Sequence, residues 1–193
     1  MYKDGPIVIV KEARPELRCA SLAIPIVNPQ GTESTRMTDA TPDNTLLLET
    51  TKGPVTIVMR PDVAPGHVAR IKELVRSGFY NGVKFHRVID GFMAQTGCPQ
   101  GTGYGGSGQK LRAEFSPTEK HVRGTVSMAR AQDPNSGDSQ FFICFADAKF
   151  LDRQYTIWGQ VTEGMENIDK VKRGEPVTDP DSIISVRVAG DAA

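Results

Sequence analysis

The 193 residues suffice for one compact domain, or a domain with a short appendage, and are too few for two large ones. With 23 basic and 23 acidic side chains the formal net charge is zero, so no global field draws the chain to nucleic acid or to an anionic membrane. Three irregularly spaced cysteines (Cys19, Cys98, Cys144) and the lack of a secretory pattern argue for the cytoplasm, and no apolar run reaches the roughly 18 residues of a membrane span.

Residues 1–36 differ in texture from the rest, with two apolar bursts, Ile7 to Val10 and Ala23 to Val27, broken by charges and prolines. They are expected to form an N-terminal extension to a domain spanning 37–193, with Met37 as an alternative start. From Thr45 the pattern sharpens: Leu46 to Thr50 and Val55 to Met59 read as two strands joined by a turn around Lys52, Gly53 and Pro54. A helix follows, with Pro65 in its first turn, Val68, Ile71, Leu74 and Val75 at helical spacing, and Gly78 past its end. Strands are expected at Val83 to Val88, Phe92 to Thr96, Gly124 to Ala131, Gln140 to Ala146, Tyr155 to Val161 and Ser182 to Val188. A second helix should carry Met165, Ile168 and Val171 and stop at Gly174 after Lys170, Lys172 and Arg173. Eight short strands and two helices predict a mainly β fold, a closed eight-stranded antiparallel barrel capped by two helices, since closure removes exposed edges; a sandwich is the alternative.

Period-two alternation sorts the side chains of the middle strands into faces. Phe141 and Ile143 share one face and Gln140, Phe142 and Cys144 the other; Met93 goes with Gln95, and Phe85 with Arg87. Polar groups mixed with large apolar ones suggest a partly exposed apolar depression with a polar edge, as peptide sites have, or else strand ends whose polar residues reach solvent. Sharper motifs fail. Gly101, Gly103 and Gly106 match a dinucleotide fingerprint, but Pro99 precedes them and no amphipathic helix follows; a phosphate loop would need lysine where Gln109 stands. Cys98 or Cys144 could act as a nucleophile with His67, His86 or His121 as base, although Cys144 sits in an apolar strand, which suits packing, and the histidines lack metal-ligand spacing.

The run Phe85-His86-Arg87-Val88-Ile89-Asp90-Gly91-Phe92-Met93-Ala94-Gln95-Thr96-Gly97 resembles the cyclophilins, the cyclosporin-type peptidyl-prolyl isomerases. So do Gly101-Thr102-Gly103-Tyr104-Gly105-Gly106, Ser127-Met128-Ala129-Arg130-Ala131 and Ser139-Gln140-Phe141-Phe142-Ile143. The resemblance extends from about Asn44 to Ala189 and is strongest toward short single-domain bacterial members; it implies the same barrel that periodicity predicts. It also implies that Arg87 is catalytic, that Phe92, Met93, Phe142 and Leu151 line the proline pocket, and that Gln95, Gln140, Gly103, Ala129, Arg130 and Ala131 bind the flanking peptide. Phe150 stands where many members have tryptophan, Tyr155 where they have histidine, and Arg130 where they often have asparagine. Phe150 loses an indole N–H donor, so cyclosporin should bind weakly while isomerase activity persists. The implied protein is a cofactor-free, metal-free monomer that assists folding by isomerising X–Pro bonds in unfolded or flexible chains; a proline-peptide binding module or holdase without turnover is the alternative. A thiol activity at Cys98 is a third.

Overall fold

The computed structural model describes residues 40–191. The expected extension over 1–36 and the alternative start at Met37 lie outside them. Eight strands form one antiparallel sheet: β1 (Thr45–Thr50), β2 (Gly53–Met59), β3 (Arg87–Ile89), β4 (Met93–Thr96), β5 (Thr125–Met128), β6 (Phe141–Cys144), β7 (Ile157–Glu163) and β8 (Ile183–Val188), in the order β3-β4-β6-β5-β7-β2-β1-β8. The β1–β2 hairpin turns where expected, with Thr50 opposite Gly53 at φ 121° and the Thr50 hydroxyl donating to the Gly53 carbonyl at 2.7 Å.

The sheet curls around an apolar core of Leu46, Leu48, Ile57, Val126, Phe141, Ile143, Trp158 and Val188, among others. Closure is less complete than predicted. The end strands β3 and β8 share no continuous ladder; instead the chain before β3 meets the start of β8 through one bridge, Lys84 to Ser182. Gly82 and Phe85 donate backbone N–H groups to the carbonyls of Ile183 and Asp181, at 2.7 and 2.9 Å. The predicted strand over Val83 to Val88 is therefore divided, since residues 82–85 pair at this seam and only Arg87–Ile89 joins β4. This change of partner breaks strict alternation. Phe85 and Val88 both enter the core, so Phe85 does not share a face with Arg87.

Helix α1 (Pro65–Arg76) lays His67, Val68, Ile71, Leu74 and Val75 inward. Its N-cap, Ala64, offers no side-chain acceptor. The Glu114 carboxylate does so from another part of the chain, accepting from the backbone N–H groups of Gly66 and His67 at 3.0 Å each and from His67 Nδ1 at 2.6 Å. The first two are donors that a helix leaves unsatisfied at its start. The second helix is shorter than its periodicity suggests. α2 is the single turn Met165–Ile168, and Gly174 pairs with β3 instead of ending a longer helix. Single 3-10 turns occupy Pro42–Asn44, Pro134–Ser136 and Lys149–Leu151. Among the described residues no helix is long and apolar enough to cross a membrane.

Replacing Glu114 with alanine is expected to reduce unfolding free energy by about 1–2 kcal/mol, as loss of a helix cap does. Urea denaturation read by circular dichroism measures it, and an unchanged midpoint would contradict the capping role.

Candidate functional site

Cross-strand register assembles a row of side chains on the outer face of the sheet. Arg87 of β3 lies opposite Gln95 of β4, Gln95 opposite Phe142 of β6, and Phe142 opposite Ser127 of β5. Neighbouring strands lie about 4.8 Å apart, so the guanidinium-bearing strand is only two steps from the Phe142 strand. Met93 and Cys144 form the next pair on this face, and a second apolar cluster builds up around them: Phe92, Met93, Ala129, Phe142, Cys144, Ala148, Leu151 and Tyr155. The alternating residues Phe141 and Ile143 point the other way into the barrel core. The face assignments made by alternation for β4 and β6 therefore hold.

The polar groups are placed differently from either expectation. Gln95 and Gln140 are both 0% exposed, so they neither reach solvent at strand ends nor edge an open depression. Gln95 Nε2 donates to Gln140 Oε1 at 2.9 Å, and Gln140 Nε2 donates to the carbonyls of Gly103 and Gly105 at 2.9 and 2.8 Å. The two amides tie β4 and β6 to the glycine-rich loop, and buried amides require such partners. Arg87, with its side chain 11% exposed, donates from Nε to Glu175 Oε1 at 2.5 Å and from Nη1 toward Gln95 Oε1 at 3.4 Å.

Aromatic contacts complete the cluster. Phe92 packs against Phe150, which is 39% exposed and forms the rim. Phe142 meets Tyr155 edge-on and lies parallel to the His121 ring. Arg130 holds its guanidinium 4.5 Å over the Tyr155 ring and donates to the carbonyls of Gln154, Ala131 and Gln132. Ala129 donates its N–H to the Gln140 carbonyl, and Ala131 its N–H to the Ser136 hydroxyl. Phe92, Met93, Phe142 and Leu151 are at most 3% exposed, so the apolar wall is close-packed rather than an open bowl. All the predicted residues thus fall on one side of the sheet or on the loops bordering it.

Sequence reasoning did not single out Glu175, nor the support beneath Phe142. His121 is wholly buried; its Nδ1 lies 3.1 Å from Asp152 Oδ1 and its Nε2 3.1 Å from Ser127 Oγ. The residue types are those of a hydrolytic triad, but Ser127 is 0% exposed and its hydroxyl donates to the Thr156 carbonyl at 2.9 Å, so the set braces the cluster from below. Cys98 is buried with Gln100 and Thr102 as its side-chain neighbours, not a histidine. Burial pushes its thiol up, but backbone N–H groups of Gly105, Thr102 and Gly103 outweigh that and hold its pKa below the usual value. Burial pushes the Cys144 thiol up to about 12, in keeping with packing. Among the described residues no group of three His, Cys, Asp or Glu side chains could hold a metal ion.

Burial lowers the pKa of His67, His86 and His121, with the Arg87 charge adding to the shift at His86. Burial raises Asp152, yet hydrogen bonds from the His121 backbone and ring leave it below the ordinary carboxylate range.

A family model described as cyclophilin type peptidyl-prolyl cis-trans isomerase/CLD matches residues 45–188. A probable peptidyl-prolyl cis-trans isomerase of Brucella suis is 50% identical over 170 residues, covering 79% of this chain and 86% of its own. A peptidyl-prolyl cis-trans isomerase of Helicobacter pylori is 44% identical over 131 residues, covering 66% of this chain and 80% of its own. Among solved structures, a cyclophilin from Hirschia baltica superposes with a TM-score of 0.73 at 35% identity, covering 79% of this chain and 76% of that one. A Cryptosporidium parvum cyclophilin type peptidyl-prolyl cis-trans isomerase, solved in the presence of the dipeptide Ala-Pro, has a TM-score of 0.70 at 29% identity, covering 75% and 98%.

Because these histidines take up protons less readily folded than unfolded, the unfolded state binds the extra protons once pH falls below about 6.5. The Asp152 carboxylate adds stability that is present above its unfolded pKa and lost as pH falls toward the folded one. Both act in one direction. Urea midpoints are expected to change little between pH 8 and 7 and to decline steadily below about 6.5; a midpoint that rises on acidification from pH 7 to 5.5 would contradict the assignment.

Proposed function

The chain belongs to the cyclophilin-type peptidyl-prolyl cis-trans isomerases, and from that premise we propose that Arg87 is the group that accelerates rotation about X–Pro bonds. The observation that carries the proposal is the register that sets Arg87 beside Gln95 and Phe142, on the face bearing the Phe92, Met93 and Leu151 cluster.

An X–Pro amide turns slowly because C–N resonance imposes a barrier of about 18–20 kcal/mol. No covalent bond needs to break. The catalyst must only bind the twisted amide, with its pyramidal and more basic nitrogen, better than either planar form. An arginine is suited to this, since its guanidinium stays charged and presents five N–H donors in a planar fork. Donation to the prolyl nitrogen or to the neighbouring carbonyl oxygen stabilises the twisted state selectively. We assign the proline ring to the wall formed by Phe92, Met93, Phe142 and Leu151, where an apolar setting strengthens the arginine's field by keeping water away.

Arg130 and Ala131 are assigned to the peptide flanking the proline, with Phe150 and Tyr155 as rim, while the wholly buried Gln95, Gln140 and Ala129 act on it through the strands and the loop at Gly103 that they hold in place. The Phe150 side chain carries no N–H donor, so the proposal includes weak cyclosporin binding. The natural substrates on this reading are proline-containing segments of unfolded or flexible polypeptides, and the cellular role is assistance to folding.

Arg87→Ala is expected to lower kcat/KM on a short X–Pro peptide by at least about a hundredfold, the order seen when one transition-state donor is removed, while the urea midpoint stays near that of the parent. Exchange NMR on the peptide reads the rate; an Arg87→Ala protein that turns over at the parental rate rejects the assignment.

A further inference from the structure

Resting on the reading of Arg87 as catalytic, we infer that Glu175 is its positioning residue, holding the guanidinium in the plane from which it donates to the substrate. An arginine side chain is long and rotamer-rich, and a donor that acts on a short-lived twisted amide must already be in place. Glu175 Oε1 accepts from Nε at 2.5 Å, and Gln95 Oε1 faces Nη1 at 3.4 Å. Contacts to two different nitrogens of a planar group define its plane as well as its position.

The carboxylate is itself fixed by the residues that flank Arg87. Val88 and Gly174 exchange backbone hydrogen bonds, each 2.8 Å, and Val177 N–H donates to the His86 carbonyl at 3.1 Å. Residues 86 and 88 therefore clamp 177 and 174, so that Glu175 is held opposite residue 87. A Cβ at position 174 would come within 2.7 Å of the Pro176 carbonyl oxygen, which is why a glycine stands at the point of closest approach. Arg173 holds the strap from its other side, donating to Asp90 Oδ1 at 3.0 Å with its guanidinium 4.3 Å over the Phe145 ring.

Glu175 is 53% exposed, and ion pairs so open to water contribute little to folding. Its loss should therefore register in turnover and not in stability. We expect Glu175→Ala to lower kcat about tenfold with KM for a short X–Pro peptide changed by less than about twofold, the pattern of a misplaced transition-state donor. Glu175→Gln, whose amide oxygen can still accept from Nε, should remain within about threefold of the parent. In an Arg87→Ala background, Glu175→Ala should have no further effect, because nothing is left to position.

Line-shape NMR at several peptide concentrations, with urea midpoints alongside, supplies these quantities. Parental kcat in Glu175→Ala combined with a slow Arg87→Ala protein overturns the role of Glu175 alone, as does a Glu175→Ala loss that persists undiminished in the Arg87→Ala background. A fast Arg87→Ala protein overturns the catalytic reading and this inference with it.

Discussion

A guanidinium can stabilise a twisted amide only if it is held where the amide turns. On the proposed reading of Arg87, that placement begins with backbone pairing between β3, β4 and β6, which aligns Arg87, Gln95 and Phe142 across three strands. Everything else about the site follows from keeping that row fixed. The buried Gln95–Gln140 pair locks two of the strands to the glycine-rich loop, and His121, Asp152 and Ser127 support Phe142 from behind. Removing one member of such a network leaves a buried polar group without its partner, which is more damaging than the net strength of the bond suggests.

The two faces of the sheet divide the work. Phe141 and Ile143 point into the barrel core, where large-to-small substitutions act on stability, whereas Phe142 and Cys144 belong to the outer cluster beside Arg87. A one-residue slip of β6 would exchange these roles and destroy core and site together. The barrel core and the outer cluster are thus specified by the same four-residue strand.

Much of this is legible in the sequence because β-strands carry a period of two. Alternation along 140–144 and 93–96 separates the two faces of these strands without any structure, and Gly53 and Pro54 mark the turn of the first hairpin, whereas the connection from β6 to β7, residues 145–156, contains neither glycine nor proline. Where the period misleads, a change of partner is the cause. Phe85 and Arg87 look like one face, but the chain pairs with residues 181–183 at the seam before it joins β4. Met165, Ile168 and Val171 have helical spacing, yet after Ile168 the backbone is drawn toward β3, where Gly174 meets Val88. Alternation also gives a face and not a depth: it groups Gln95 with Met93 but does not reveal that the glycine-rich loop covers Gln140. Glu175, 88 residues from Arg87 in sequence, leaves no local signature, and only the fold brings the two together.

The central claim is that one fixed arginine beside an apolar wall favours the distorted amide over its planar forms. A crystal structure of the full chain with a bound X–Pro peptide tests it most directly. The account requires the proline ring against Phe92, Met93, Phe142 and Leu151, and an Arg87 N–H within about 3 Å of the prolyl nitrogen or the preceding carbonyl oxygen. A ring seated elsewhere, or a guanidinium making no contact with the peptide, would contradict it.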